Sequence, residues 1–141
     1  MFLLDTNILS ECMRPEPAAT LISWLDNQPG DRMWISAITR AEIELGIALL
    51  PDGRRRQELV EAAKGMFIEE FAGRCLPFDQ EAAVSYAAVV AARTQNGRPI
   101  SVEDAQIAAI ALVHNLTIAT RNQRDFEDIN GLAVINPWSN D

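Results

Sequence analysis

The sequence predicts an α/β fold with a mainly parallel sheet, on three observations. Short β-like runs alternate with longer helical stretches along the whole chain, the order that sets crossover helices between parallel strands. Pro15, Pro17, Pro29-Gly30, Pro51-Asp52-Gly53, Gly97 and Pro99 punctuate these stretches as turns. No repeat, low-complexity tract or linker divides the 141 residues, a length that suits a single domain, residues 1–141, with a proper core.

The elements follow in order. Phe2-Leu3-Leu4 is the first candidate strand, cut short by Asp5-Thr6-Asn7, with a helix expected from near Ile8. Ala18–Asn27 is the next expected helix, set off by Pro15 and Pro17. Pro29-Gly30 turns the chain into a second strand, Met33-Trp34-Ile35, and Ala37–Leu49 follows as a helix. Pro51-Asp52-Gly53 precedes one long helical stretch, Arg54–Gly73. Cys75-Leu76-Pro77-Phe78 is the third strand, and Gln80–Asn96 is a helix closed by Gly97 and Pro99. Val102–Asn115 is the last helix, and Thr117-Ile118-Ala119 and Ala133-Val134-Ile135 complete five strands. In open sheets of this kind ligands bind beyond the carboxyl ends of the strands. Asp5, Ser36, Asp79 and Thr120 each follow a candidate strand directly.

Composition narrows the function. With 48% apolar residues the chain is globular rather than disordered, yet no apolar run approaches the ~20 residues of a membrane helix. The first residues lack the basic start and long apolar core of a secretory signal. Cys12 and Cys75 form neither a metal-type spacing nor a disulfide framework, so a reducing, cytoplasmic setting is expected. The net charge of −8 argues against a protein that grips nucleic acid with a broadly basic surface. It leaves room for a nucleic-acid enzyme whose acids gather around a metal. His114 is the only histidine, which excludes a two-histidine acid–base ribonuclease, and Lys64 is the only lysine.

Three acids stand out of place. Asp5 ends the first strand, where it either caps the following helix or is presented to a site. On a helix over 37–49, Glu42 falls within an arc shared by Ile38, Ala41, Leu45, Ala48 and Leu49, whereas Glu44 lies outside it. A carboxylate on an apolar stripe is costly unless paired, protonated or bound to a metal. Asp104 shares a face with Ile107, Ala108 and Ala111. It also stands three residues after Ser101 in a capping-box pattern, which is a sufficient local reason for an acid there. Three carboxylates brought together repel unless some stay protonated or a cation joins them. Oxygen ligands without nearby His or Cys favour Mg²⁺ or Mn²⁺, and the chemistry that follows is metal-assisted phosphodiester hydrolysis.

FLLDTNILSE, ISAITRAEIELGI, SVEDAQIAAIAL and ATRNQRDFEDI with VINPW, in this order along the chain, resemble the PIN-domain ribonuclease toxins. More narrowly they are similar to the VapC and FitB-type toxins of toxin–antitoxin pairs. The resemblance implies a three-layer α/β/α sandwich and a Mg²⁺-dependent endoribonuclease in which Mn²⁺ substitutes. It also implies a cognate antitoxin that blocks the acidic pocket, a homodimer, and contact with DNA only through the antitoxin. Asp5, Glu42 and Asp104 match the three family acids, the expected metal ligands, direct or through water. Asn7 and Thr120 match small polar positions that shape the pocket. Where many PIN domains carry a fourth acid this chain has Asn122, with Asp125 nearby as a substitute, so one tightly held metal is expected rather than two. Arg40, Arg121 and Arg124 are candidates for RNA phosphates.

Two other classes fit less well. A haloacid-dehalogenase-type phosphatase needs a second Asp where Asn7 stands, and a late lysine. A catalytically inactive PIN-like binding module would be expected to have lost two or three acids, and only the fourth is altered here.

Overall fold

The computed structural model describes residues 1–139 and contains five strands and six α-helices. The strands are β1 (Phe2–Leu4), β2 (Met33–Ser36), β3 (Cys75–Leu76), β4 (Thr117–Ala119) and β5 (Val134–Ile135). The helices are α1 (Thr6–Cys12), α2 (Ala19–Asp26), α3 (Ala37–Ala48), α4 (Arg54–Lys64), α5 (Gln80–Gln95) and α6 (Val102–His114). Every strand pairing is parallel, in the order β3-β2-β1-β4-β5. The chain therefore builds outward from β1 to one side, then returns to build outward on the other. The β1–β4 junction is the switch point, where flanking connections diverge and leave a crevice at the strands' carboxyl ends.

Alternation along the strands divides the core into two layers. Leu3 and Ile118 join one apolar cluster with Ala82 and Val89 of α5 and Ile107 and Ile110 of α6. Their neighbours Leu4 and Ala119 point the other way, into a cluster with Ile8 and Leu9 of α1, Leu21 of α2, Ile43 and Ile47 of α3 and Ala63 of α4. Helix α6 is apolar almost all round, with Ala105 and Ile107 through Ala111 buried, because it lies between the sheet and α5. It stops at Asn115, whose left-handed backbone (φ 58°) sends its N–H back to Ala111 and Leu112. Cys12 and Cys75 are free thiols, half-buried at the edge of the second cluster.

The structure differs from the sequence-based expectation in several places. Helix α1 begins at Thr6, not near Ile8, because Asp5 caps it directly. The stretch expected as one helix over 54–73 is α4 followed by a π-helical turn, Gly65–Glu70. That wider turn buries Met66 and Phe67 while leaving Ile68 at 63% exposure. Strands β3 and β5 are shorter than their apolar runs, β3 closing before Pro77, which has no N–H to give a ladder.

The largest departure concerns α3. Its buried stripe is Thr39, Ile43 and Ile47, whereas Leu45 and Leu49 are 59% and 76% exposed. The arc chosen from the sequence counted alanines and leucines. The stripe that meets α1 and the sheet is instead an i, i+4, i+8 row that opens with a threonine. Glu42 is consequently exposed beside that stripe rather than set within it.

Candidate active site

Asp5 lies where β1 ends, 6% exposed, at the floor of a cleft of about 650 Å³. Its backbone N–H continues the sheet to the carbonyl of Ala119 at 3.0 Å, and its carbonyl accepts from Ile8 N at 3.0 Å. The carboxylate is held as firmly as the backbone. Oδ1 accepts from Thr6 N at 2.8 Å, and Oδ2 accepts from Thr120 Oγ1 at 2.8 Å and Asn7 Nδ2 at 3.2 Å. Asn7 Nδ2 also reaches Thr120 Oγ1 at 3.1 Å, and Asn7 Oδ1 accepts from Arg121 N at 3.2 Å. Asn122 N completes the set by donating to Thr120 Oγ1 at 3.0 Å. The ends of β1 and β4 are thus laced together around one carboxylate.

The two other expected acids reach the same cleft from helices on either side of the sheet. Glu42 of α3 accepts from Thr6 Oγ1 at 2.7 Å, and Thr6 Oγ1 lies 3.1 Å from Thr39 Oγ1. Asp104 stands half-buried in the first turn of α6, its own N–H donating to the Ser101 cap at 3.1 Å. The capping reading of Asp104 and its place in the cleft are compatible. The same holds at Asp5, which caps α1 and floors the site.

Electrostatics separates these acids from ordinary surface carboxylates. Burial pushes the Asp5 carboxyl above its usual range, an effect that Thr120, Thr6 and Asn7 counter and Asp125 reinforces. Asp104 is pushed up to about 6, first by burial, with Ser101 opposing and the charges of Asp5, Asp125 and Glu42 adding to it. Four acids, Asp5, Glu11, Glu42 and Asp104, line the cleft with three arginines; Arg14 pairs with Glu11, and among the described residues none pairs with Asp5, Glu42 or Asp104. Three carboxylates are left without an ion-pair partner, the oxygen donors that suit a hard cation.

Among the described residues, no three Asp, Glu, His or Cys side chains converge closely enough to ligate one ion directly. The residues present fit an ion that keeps part of its hydration, held directly by one or two carboxylates and through water by the rest.

Of the other residues singled out from the sequence, Asn7, Thr120, Asn122 and Arg121 belong to this neighbourhood. Ser36 and Asp79 do not line it: they cap α3 and α5, accepting from Thr39 N at 3.1 Å and Ala82 N at 3.0 Å. Arg40 is also elsewhere, its guanidinium 5.1 Å from the Phe67 ring centroid and 4.0 Å from Glu44. Arg124 is exposed and does not line the cleft. Asp125 sits in a 3₁₀ turn, Gln123–Phe126, close enough for its charge to act on both Asp5 and Asp104.

Sequence reasoning missed six lining residues and one brace. Thr6, Ser10, Glu11, Arg14 and Arg55 line the cleft, Glu11 paired with Arg14 at 3.3 Å, and Trp138 borders it with Arg121 stacked on its ring at 5.1 Å. Arg55 did leave a signal, because a run of three arginines at a helix N-terminus opposes the helix dipole. The brace is Arg93, buried in α5. Its Nη1 donates to the carbonyls of Asp125 and Glu127 at 3.2 and 3.0 Å, and its Nε to that of Arg98 at 2.8 Å. Arg98 in turn pairs with Asp128 and Glu127, so the loop bearing Asn122 and Asp125 is tied down from below.

Comparison with known proteins places this arrangement. The family model described as PIN domain matches residues 2–132. Toxin FitB of Neisseria gonorrhoeae is 42% identical over 138 residues, covering 98% of this chain and 99% of that protein. VapC ribonuclease Y4jK of Sinorhizobium fredii is 41% identical over 138 residues, covering 98% of both. A solved structure of FitAB bound to an IR36 DNA fragment superimposes with a TM-score of 0.91 at 40% identity, covering 100% of this chain and 98% of that one. A parallel sheet whose switch point gathers acids, matched along its whole length by these proteins, is a member of the PIN-domain family, of the branch that includes the VapC and FitB toxins.

Proposed function

We propose that this chain is a metal-dependent endoribonuclease toxin that hydrolyses RNA phosphodiester bonds and is neutralised by a cognate antitoxin. The observation that carries the reading is the convergence of Asp5, Glu42 and Asp104 on one cleft at the β1–β4 switch point, none of them ion-paired among the described residues. The relatives' names, a VapC ribonuclease and a toxin, point to the same chemistry.

Asp5 and Asp104 would hold a divalent ion, Mg²⁺ in the cell with Mn²⁺ as a substitute, and Glu42 would join through water. When bound, such an ion neutralises charge on the phosphate and lowers the pKa of its water. The chain's own groups set up the rest. Thr120 and Asn7 orient Oδ2 of Asp5 and the Thr6 N–H orients Oδ1, Thr6 Oγ1 fixes the Glu42 carboxylate, and the Arg93-braced loop holds Asn122 and Asp125 at the rim. Asn122 can offer a carbonyl oxygen but no charge, so one tightly held ion is the favoured stoichiometry.

The partners in this reading are RNA, an antitoxin that occupies the acidic cleft, and a second copy of the chain. DNA would be reached only through the antitoxin. The protein would act in the cytoplasm, and no helix among the described residues is long and apolar enough to cross a membrane.

The test is cleavage of structured RNAs by the antitoxin-free chain with Mg²⁺, with Mn²⁺ and with EDTA. Cutting that needs the ion and stops when antitoxin is added is the expected result. Cutting that persists undiminished in EDTA contradicts the reading.

A further inference from the structure

Of the three arginines that line the acidic cleft, Arg14 is paired with Glu11 and two carry no ion pair among the described residues. Arg55 and Arg121 both border the space above Asp5. Among the described residues neither makes an ion pair, in a chain with 20 acids and 12 bases. Their neighbours in sequence behave differently: Arg54 pairs with Glu58 at 3.2 Å and Arg56 with Asp52 at 2.7 Å. Both positive groups therefore remain available to an anion entering the cleft from outside.

They approach from opposite sides. Strands β2 and β4 flank β1 on its two edges. Arg121 follows β4, while Arg55 opens α4, which packs on α3, the helix that leaves β2. Arg121 is also held at both ends. Its N–H donates to Asn7 Oδ1 at 3.2 Å, and its guanidinium lies 5.1 Å from the Trp138 ring centroid. The backbone at Trp138 is itself fixed, its main-chain N–H donating to Asn136 Oδ1 at 2.9 Å. Stacking leaves the edge of the guanidinium, with its fork of donors, free for a phosphate.

We propose that Arg55 and Arg121 grip two phosphates of a single-stranded RNA, one on each side of Asp5, and that Trp138 is the positioning residue of Arg121. The inference rests on the ribonuclease reading and names the side chains that would hold its substrate. A single strand is favoured because Asp5 is recessed at the cleft floor, so the bond to be cut must descend between the two arms. A flexible strand can bend in this way, whereas an A-form duplex keeps its shape. The rest of the surface carries excess acid and gives a longer duplex little to hold.

Binding of a labelled single-stranded RNA of roughly 12 nucleotides, and of the same sequence as a duplex, tests this in an Asp5→Asn background where nothing is cut. Fluorescence anisotropy over a salt series is the readout. Arg55→Gln and Arg121→Gln should each weaken single-strand binding about tenfold at low salt. Each should also flatten the slope of log affinity against log salt by about 0.7. Trp138→Leu keeps apolar bulk without a ring face and should reproduce the Arg121→Gln loss, and combining the two should cost little more. Trp138→Phe should retain most of the binding.

Unchanged affinity and slope in both arginine variants overturns the grip, duplex binding as tight as single-strand binding overturns the substrate class, and full binding by Trp138→Leu overturns the positioning role. Wild-type cleavage, measured separately, keeps the two readings apart. Cutting without arginine-dependent binding sinks the grip alone, and arginine-dependent binding without any cutting sinks the ribonuclease reading alone.

Discussion

Asp5 and Asp104 face one cleft, and the protein holds them in opposite ways. Asp5 is fixed by a backbone N–H, a hydroxyl and an amide, on a strand end that is itself bonded into the sheet. Asp104 stands half-exposed on the first turn of a helix, with Ser101 as its one hydrogen-bonding neighbour. Burial raises both carboxyls, but only Asp5 has a full set of donors to offset it. One acid is thus an anchor built into the sheet, while the second has its pKa held up by burial and by the charges of Asp5, Asp125 and Glu42 with one hydrogen bond to offset them. Glu42 falls between, tethered to α1 through Thr6 but exposed.

The comparison can be broken at several points. The largest effect is expected in catalysis: Asp5→Asn, Asp104→Asn and Glu42→Gln should each lower the RNA-cutting rate about 100-fold or more. Glu42 is the position at which a smaller loss would show that the exposed acid is dispensable. Thr120→Val should come next. It removes the hydroxyl that donates to Asp5 and accepts from Asn7 and Asn122, stranding buried polar groups at a cost of about 1–3 kcal/mol. Chemical denaturation reads that cost, and a variant as stable as wild type would show that the lacing around Asp5 is ornamental.

Asp104→Asn should do the reverse in the metal-free protein. An acid whose folded pKa lies above its unfolded one binds its proton more tightly when folded, so stability is full below about pH 3.8 and falls as pH rises through about 6. The shift is equivalent to roughly 3 kcal/mol, reduced by the half-exposure of the group to about 1 kcal/mol. In EDTA the variant should therefore exceed wild type in stability at pH 7.5 and match it near pH 4. A variant less stable at pH 7.5 would mean that its cap and helix-dipole role outweighs the burial and the repulsion. Arg40→Gln is the smallest case: stacked on Phe67 outside the cleft, it should leave cutting unchanged and cost less than about 1 kcal/mol.

The parts of this molecule legible in its sequence are those where a local pattern and a tertiary demand coincide. Strand β1 could be read from three residues because the acid that stops it also caps α1. Thr120 was legible by the same rule at β4. Helix α3 was misread because hydrophobicity alone does not tell which of two partly apolar faces meets the sheet. Ile43 and Ile47 won, leaving Leu45 and Leu49 outside, yet Glu42 reached the cleft because it borders Thr39 on the buried stripe. Arg14, Arg55 and Trp138 were out of reach for another reason. They come from three separate elements, and only the packing of α1, α4 and the chain after β5 onto one end of the sheet brings them to Asp5.

If these acids are gathered for a divalent ion, thermal unfolding of the purified chain at pH 7.5 with increasing Mn²⁺, beside Asp5→Asn and Asp104→Asn, will show it. Binding to the folded state alone raises stability with ion concentration, by about 2.7 kcal/mol at a hundredfold excess over Kd. The expected result is a concentration-dependent rise in melting temperature for wild type that both variants lose. A rise of equal size in all three, or none in wild type, would contradict it.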